Sequence, residues 1–243
     1  MKRQRIDKLL VDQKLVTTRA RAQAMILAGH VLVDDVPVTK AGELVAESSI
    51  IRLREPELKY VSRGAIKLKA ALENFQLDVT GKVALDVGAS TGGFTEILLE
   101  FGAAKVIAID VGTNQLAWRI RSDPRVEVRE NLNARYLRGQ VDVADLAVMD
   151  VSFISIRLII PSLMEVLRPQ SVMVILFKPQ FEVGKELVGP GGIVKDQVAA
   201  KMSLNQTLDW AKSQGLEVLG QMESPILGTD GNHEYLIYLR KIN

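Results

Sequence analysis

The chain has 243 residues, 47% of them hydrophobic and 25% charged, enough for one large domain, or one medium and one small domain, with a substantial core. It has no cysteine, which excludes disulfides, thiolate metal sites and cysteine nucleophiles; with only two histidines, His30 and His233, no metal site is expected. Net charge is +2, but residues 1–30 carry seven basic side chains against two acidic ones, a pattern that fits either a polyanion contact or a solvated helical face.

No apolar run approaches the ~18 residues of a membrane helix. The start, Met1-Lys2-Arg3-Gln4-Arg5, is basic but lacks the apolar stretch of a secretory signal, so a cytoplasmic protein without stable membrane association is expected. A helix is predicted from Ile6 through Leu9, Leu10 and Val11, followed by a short turn at Leu15-Val16. Thr18 can cap a second helix with Ala22, Met25 and Ile26 on its inner face, and Gly29 ends it. Val31, Val33, Val36 and Val38 flank a hairpin turn at Asp34-Asp35, and a short strand follows at Ile50 to Leu53. Such a module of about 50–60 residues can fold alone, though marginally. The pattern resembles the RNA-binding domain first seen in ribosomal small-subunit protein four, carried by Arg5, Thr18, Arg19, Arg21, Gly29, Val31 and Val33. The resemblance implies that Arg5, Arg19 and Arg21 meet RNA; clustered guanidinium groups can bind phosphate bidentately.

Arg54-Glu55-Pro56-Glu57 reads as a charged linker between a first domain, 1–58, and a second, 59–243. After Tyr60-Val61-Ser62-Arg63-Gly64, a helix from about Ala65 carries Leu68, Ala71, Leu72 and Phe75 at helical spacing. Lys67 lies off that stripe and by itself reads as a solvated lysine. The segment Ala84 to Phe94, ALDVGASTGGF, reads as strand, glycine-rich turn and helix start. Glycines tolerate positive φ and close approach of a ligand, and in an open α/β sheet ligands bind at the carboxyl ends of the strands. A ligand-free tight turn is the alternative. The second strand, Lys105 to Ile109, ends in Asp110, 24 positions after Asp86, an offset suited to bonding ribose hydroxyls. The spacing is not G-x-G-x-x-G, which argues against a nicotinamide dehydrogenase.

Strands three and four are predicted at Val126 to Val128 and at Leu146 to Met149, the latter ending in Asp150. Between them, Asn131 to Arg135 could read an adenine or cap a short helix. A helix through Leu163 and Val166 precedes strand five, Val172 to Phe177, which ends in Lys178-Pro179. Gln180 to Ile193 is glycine-rich and aperiodic, as lids and binding loops are. A helix from about Lys195 to Lys212 leads to strands near Leu216–Met222 and Tyr235–Leu239, which lack a helix between them and should pair antiparallel. The alternation predicts an α/β doubly wound sheet.

The glycine loop resembles the S-adenosylmethionine loop of FtsJ-like ribose methyltransferases. The blocks VSRGAIKL, ALDVGASTGGFTE, DVGTNQLAW, DPRV, NARYL, DVSFIS, KPQFEVGKE, VGPGGIV and GNHEYLIYL, in order, resemble the TlyA family of ribosomal RNA cytidine 2′-O-methyltransferases, also labelled haemolysins. The resemblance implies a Rossmann-like fold with a seven-stranded, mostly parallel sheet behind a small α+β RNA-binding domain, S-adenosylmethionine as cofactor, and ribosomal RNA or ribosomal subunits as partner. It assigns catalysis to Lys67, Asp150, Lys178 and Glu234. Cofactor binding falls to Asp86, Gly88, Ser90, Gly92, Gly93, Phe94, Asp110, Asn133 and Asp150, and a further RNA contact to Arg63. The chain stops at Asn243 just after its last strand, and shorter TlyA forms are associated with large-subunit RNA alone, so the expectation leans that way. The competing readings are a non-catalytic RNA-binding assembly factor, which intact tetrad positions argue against, and a membrane-active haemolysin, which lacks a spanning segment or a strong amphipathic helix.

Overall fold

A computed structural model describes residues 3–53 and 59–242. The expected linker Arg54-Glu55-Pro56-Glu57 lies outside the described residues. The chain divides into two compact units, Met1–Lys59 and Tyr60–Asn243.

In the first unit, α1 (Ile6–Asp12) and α2 (Arg19–Leu27) pack together, and β2 (Val31–Val33) pairs antiparallel with β3 (Val36–Val38) and β5 (Ile51–Leu53). The Asp34-Asp35 turn holds both central residues at positive φ, 51° and 65°, as a two-residue hairpin with right-handed twist requires. Thr18 caps α2 by accepting a bond from the Arg21 amide at 3.2 Å, and Gly29 follows the helix at φ 72°. One feature was not predicted: β1 (Arg3–Arg5) pairs antiparallel with β4 (Leu44–Ala46). Three residues in each are too short to show a period, so the pairing is decided by packing over Ile6, Leu10, Ile26 and Val45 in the unit's own core.

The second unit is a seven-stranded sheet in the order β11-β12-β10-β9-β6-β7-β8. Its strands are β6 (Val83–Val87), β7 (Lys105–Ile109), β8 (Val126–Arg129), β9 (Ala144–Met149), β10 (Leu167–Phe177), β11 (Leu216–Glu223) and β12 (Tyr235–Lys241). The central strands are parallel, and β12 runs antiparallel to both β10 and β11, since no helix separates the last two strands. Helices are α3 (Gly64–Asn74), α4 (Gly93–Glu100), the short α5 (Trp118–Arg121), α6 (Ile160–Val166) and α7 (Gln197–Ser213). Successive strand side chains point to opposite faces. Ala84, Val106, Leu146, Val148, Val174 and Leu176 meet α3 and α4, while Leu85, Ile107, Ala147, Met149, Met173 and Ile175 meet α6 and α7. Nearly all are fully buried, which is why these strands read as continuous apolar runs rather than alternating ones.

Strand β10 begins five residues earlier than predicted. Its register against β9 shifts between Leu167 and Val172, and Gln170 sits at positive φ there, an irregularity that hides the early start from a period-2 reading. The aperiodic stretch after Lys178 forms three single 3₁₀ turns, at Pro179–Phe181, Lys185–Leu187 and Pro190–Gly192. Among the described residues, no helix is long and apolar enough to cross a membrane.

Candidate active site

The carboxyl ends of β6, β9 and β10 lie side by side because these strands are parallel neighbours. Gly88 follows β6 at φ 82°; a Cβ there would lie 2.3 Å from the Asp150 carbonyl oxygen. Glycine lets the ends of β6 and β9 close on one another. Gly93, at the start of α4, is also closely approached: a Cβ would fall 2.0 Å from the Ser62 hydroxyl and 3.0 Å from the Ala65 amide nitrogen, so the start of α3 rests on the glycine loop. The Val61 amide donates to Glu96 Oε2 on α4 at 2.7 Å and holds the same junction.

Two lysine–carboxylate pairs meet there. Lys178 Nζ, just past β10, lies 2.6 Å from Asp150 Oδ1 and donates to Ser152 Oγ at 2.9 Å. Lys67, one turn into α3, donates from Nζ to Glu234 Oε2 at 2.5 Å, and both side chains are at least nine-tenths buried. A charge that deep is retained only when paired. All four side chains line one cavity of about 300 Å³, together with Ser62, Arg63, Ser90, Phe94 and Thr229. Its walls are tied by side chains from the loops. Glu182 accepts from Ser155 Oγ and the Ile156 amide, both at 2.7 Å, joining the segment after Lys178 to the one after Asp150. Burial pushes the Glu182 carboxyl up. Asn232, 2% exposed, accepts from the Val194 amide at 2.9 Å and donates to the Gly192 carbonyl at 2.8 Å, binding the glycine-rich loop to the segment that carries Glu234.

A second cavity of about 470 Å³ adjoins the first, sharing Gly88, Ser90 and Asp150. Its walls are mainly apolar, with Ile109, Leu132, Phe153 and Ile154, and its polar groups include Asp110, Gln115 and Asn133. Asp110 accepts from the Ser90 amide through Oδ2 and from the Gly112 amide through Oδ1, each at 2.7 Å. Both amides fix the carboxylate at the cavity wall. A hydrogen-bond acceptor such as Asp110 beside apolar walls is the combination that suits a nucleoside, whose ribose hydroxyls donate and whose base is apolar on its faces.

Residues 60–241 match the family model of the FtsJ-like methyltransferases, and residues 4–51 match that of the S4 domain. The chain belongs to the FtsJ-like methyltransferase family. It is 44% identical over 242 residues to the 16S/23S rRNA (cytidine-2′-O)-methyltransferase TlyA of Mycobacterium tuberculosis, covering 98% of this chain and 90% of that protein. It is also 38% identical over 237 residues to Hemolysin A of Brachyspira hyodysenteriae, covering 96% and 98% respectively. Among solved structures, one described as a candidate hemolysin from Streptococcus thermophilus superposes with a TM-score of 0.76 at 40% identity, over all of this chain and 90% of that one.

The predicted site residues of this methyltransferase do not all gather in one place. Lys67, Asp150, Lys178 and Glu234 converge on the first cavity. Lys67 is not the solvated lysine its place off the apolar stripe suggests, because Glu234, just ahead of β12, neutralises it. Gly88, Ser90, Asp110, Asn133 and Asp150 line the second cavity, whereas Gly93 and Phe94 line only the first. Asn133 also accepts from the Arg135 amide at 3.0 Å, so its side chain caps a turn as well. Asp86 and Gly92 line neither cavity. Asp86 is fully buried, accepts from Thr95 Oγ1 at 2.6 Å, and leaves Oδ1 without a hydrogen bond. Burial pushes its carboxyl up to about 7, against the Thr95 bond and with a smaller push from Asp150. A Cβ on Gly92 would meet Leu116 and Ile120 rather than a ligand.

Arg63 lines the first cavity and donates to the Leu227 carbonyl at 2.9 Å. In the first unit, Arg5 and Arg19 both bond Asp7, which the charge pattern treats only as an acid among bases. Sequence reasoning also missed Ser152, Phe153 and Thr229. The first two lie inside DVSFIS, directly after Asp150, but nothing in their type or period marks them. Thr229 carries no local signal at all.

Proposed function

We propose that this methyltransferase transfers a methyl group from S-adenosylmethionine to a ribose 2′-hydroxyl of ribosomal RNA, with cytidine in large-subunit RNA as its target and small-subunit RNA as a further one. The observation that carries the reading is the pair of lysine–carboxylate couples facing one cavity that adjoins a second, mainly apolar one with Asp110 in its wall. The name of the Mycobacterium relative supports both the reaction and the nucleotide.

The cofactor supplies an electrophilic methyl on a sulfonium. Asp110 would hold its ribose hydroxyls, the apolar walls beside Asn133 would take its adenine, and Gly88 and Ser90 would take the rest beside Asp150. The acceptor ribose enters the first cavity. Lys178, oriented by Asp150 and Ser152, polarises the 2′-hydroxyl or, as the neutral amine, takes its proton; the hydroxyl is a poor nucleophile while it keeps that proton. Lys67, fixed and charge-balanced by Glu234, offers its remaining N–H groups to hold the adjoining phosphate or ribose oxygen in line. Alignment for in-line displacement is most of the task. Arg63 and the arginines of the first unit contact the RNA backbone.

Lys178→Ala is expected to keep cofactor and RNA binding and to lose at least the ~10²-fold in rate typical of a proton-transfer residue. Lys178→Arg should not rescue, because guanidinium stays protonated. Single-turnover methylation of unmodified ribosomal RNA at saturating cofactor reads both. Near-normal rate in the arginine variant would overturn the proton role, and an alanine variant that no longer binds RNA would move Lys178 to anchoring.

A further inference from the structure

Seven basic side chains crowd the first 30 residues, and Asp7 opposes them in a simple count. The fold gives this acid another place. Asp7 is fully buried at the start of α1, where its carboxylate is reached from two other elements. Arg5, ending β1, donates from Nε to Oδ1 and from Nη2 to Oδ2, both at 3.1 Å. On α2, Arg19 donates from Nε to Oδ2 at 2.9 Å, and Gln23 from Nε2 to the same oxygen at 3.0 Å. The inner edges of both guanidinium groups are thus engaged. Their outer parts face solvent, with the side chains 48% exposed for Arg5 and 56% for Arg19. A Cβ at Gly42 would lie 3.6 Å from the Arg5 guanidinium, so Gly42 is close to this group. The Nη groups of Arg19 have no other partner among the described residues.

We propose that Asp7 is a positioning residue for RNA: it holds Arg5 and Arg19 as one phosphate-binding fork, with their outer N–H groups presented together to the backbone. The proposal rests on the reading of the first unit as RNA-binding. A free arginine loses rotamer freedom when it grips a phosphate, whereas one already pinned at Nε does not lose it again. The buried carboxylate removes one positive charge and supplies geometry in its place. Arg21, which makes no bond to Asp7, serves as the internal comparison.

The sign of one substitution separates this role from plain charge cancellation. Asp7→Asn raises the net charge of the unit by one. If Asp7 only dilutes the basic patch, full-length Asp7→Asn should bind unmodified large-subunit ribosomal RNA more tightly, with a log–log salt slope steeper by about one. If it holds the fork, binding should weaken by roughly tenfold despite the added charge, about the loss of one charge-assisted contact. The fork also predicts coupling. Asp7→Asn should cost clearly less once Arg19→Gln is present, only the share carried by Arg5 being left to lose, yet should add fully to Arg21→Gln. Were Asp7→Asn simply to unfold the first unit, neither arginine substitution would weaken binding further in its presence, and the positioning role would be overturned. Tighter binding, or full additivity with Arg19→Gln, would overturn it as well. Unchanged affinity in both Arg19→Gln and Arg21→Gln single variants would instead overturn the RNA-binding reading beneath it. Cofactor affinity, measured on the same proteins, should stay at the wild-type value throughout.

Discussion

Asp86 occupies the motif position one would give to a ligand contact, yet it faces Thr95 and no cavity. It sits on β6 with the residues that point to α3 and α4, so the alternation of the strand sends it into the core. Its carboxyl, raised to about 7 by burial, makes the second unit's stability depend on pH with a definite sign. In the unfolded chain the group ionises near its ordinary value, about 4. Below that pH it is protonated in both states and contributes nothing to the slope. As pH rises toward 7 the unfolded state releases its proton first, so stability falls, and the loss levels off above the folded value. The full difference is on the order of 4 kcal/mol. Asp86→Asn is therefore expected to flatten the pH dependence between about 4 and 7, as read by denaturant unfolding of both proteins. Parallel pH profiles would show that Asp86 is not the group responsible.

The strand ends place the chemistry because β6, β9 and β10 are parallel and adjacent, with Gly88, Asp150 and Lys178 each at or just past a carboxyl end. Gly88 is the tightest point of that row. Alanine there would need positive φ and would drive its methyl into the Asp150 carbonyl, 2.3 Å from the ideal Cβ. Such strain costs roughly 1–3 kcal/mol per feature. Gly88→Ala is expected to destabilise the second unit by at least about 2 kcal/mol and, by displacing Asp150, to weaken cofactor binding. Thermal unfolding and cofactor titration together test it, and a variant with wild-type values of both would contradict the close packing of β6 on β9. Outside the sheet, Glu182 and Asn232 tie loops that have no period of their own, which explains how an aperiodic stretch holds a defined wall.

The two units each have their own buried core, one around Ile6, Leu10 and Ile26, the other filling both faces of the sheet. The tetrad positions and both cavities belong wholly to the second. Chemistry and RNA affinity should therefore separate. Deleting residues 1–58 is expected to leave cofactor affinity intact while weakening RNA binding and flattening its salt dependence, because the removed unit carries the dense basic cluster. Binding isotherms at several salt concentrations measure this. Equal RNA affinity and equal slope in the truncated protein would remove the first unit from RNA recognition.

What the amino-acid order determined by itself is the set of elements whose signals are local. The Thr18 cap, the hairpin at Asp34-Asp35, the apolar strands and the glycine turn after β6 all depend on neighbours a few residues away, and family blocks marked the tetrad positions. Tertiary structure decided which charges meet. Lys67 and Glu234 are 167 positions apart, and Lys67 lies off the helical stripe that local periodicity reveals. It also decided that Asp86 is buried away from both cavities, that Asp7 gathers two arginines rather than opposing them, and that β1 finds β4. Pairing of charges and of short edge strands is settled by burial across long loops, where leaving a partner out costs more than any local preference can offset.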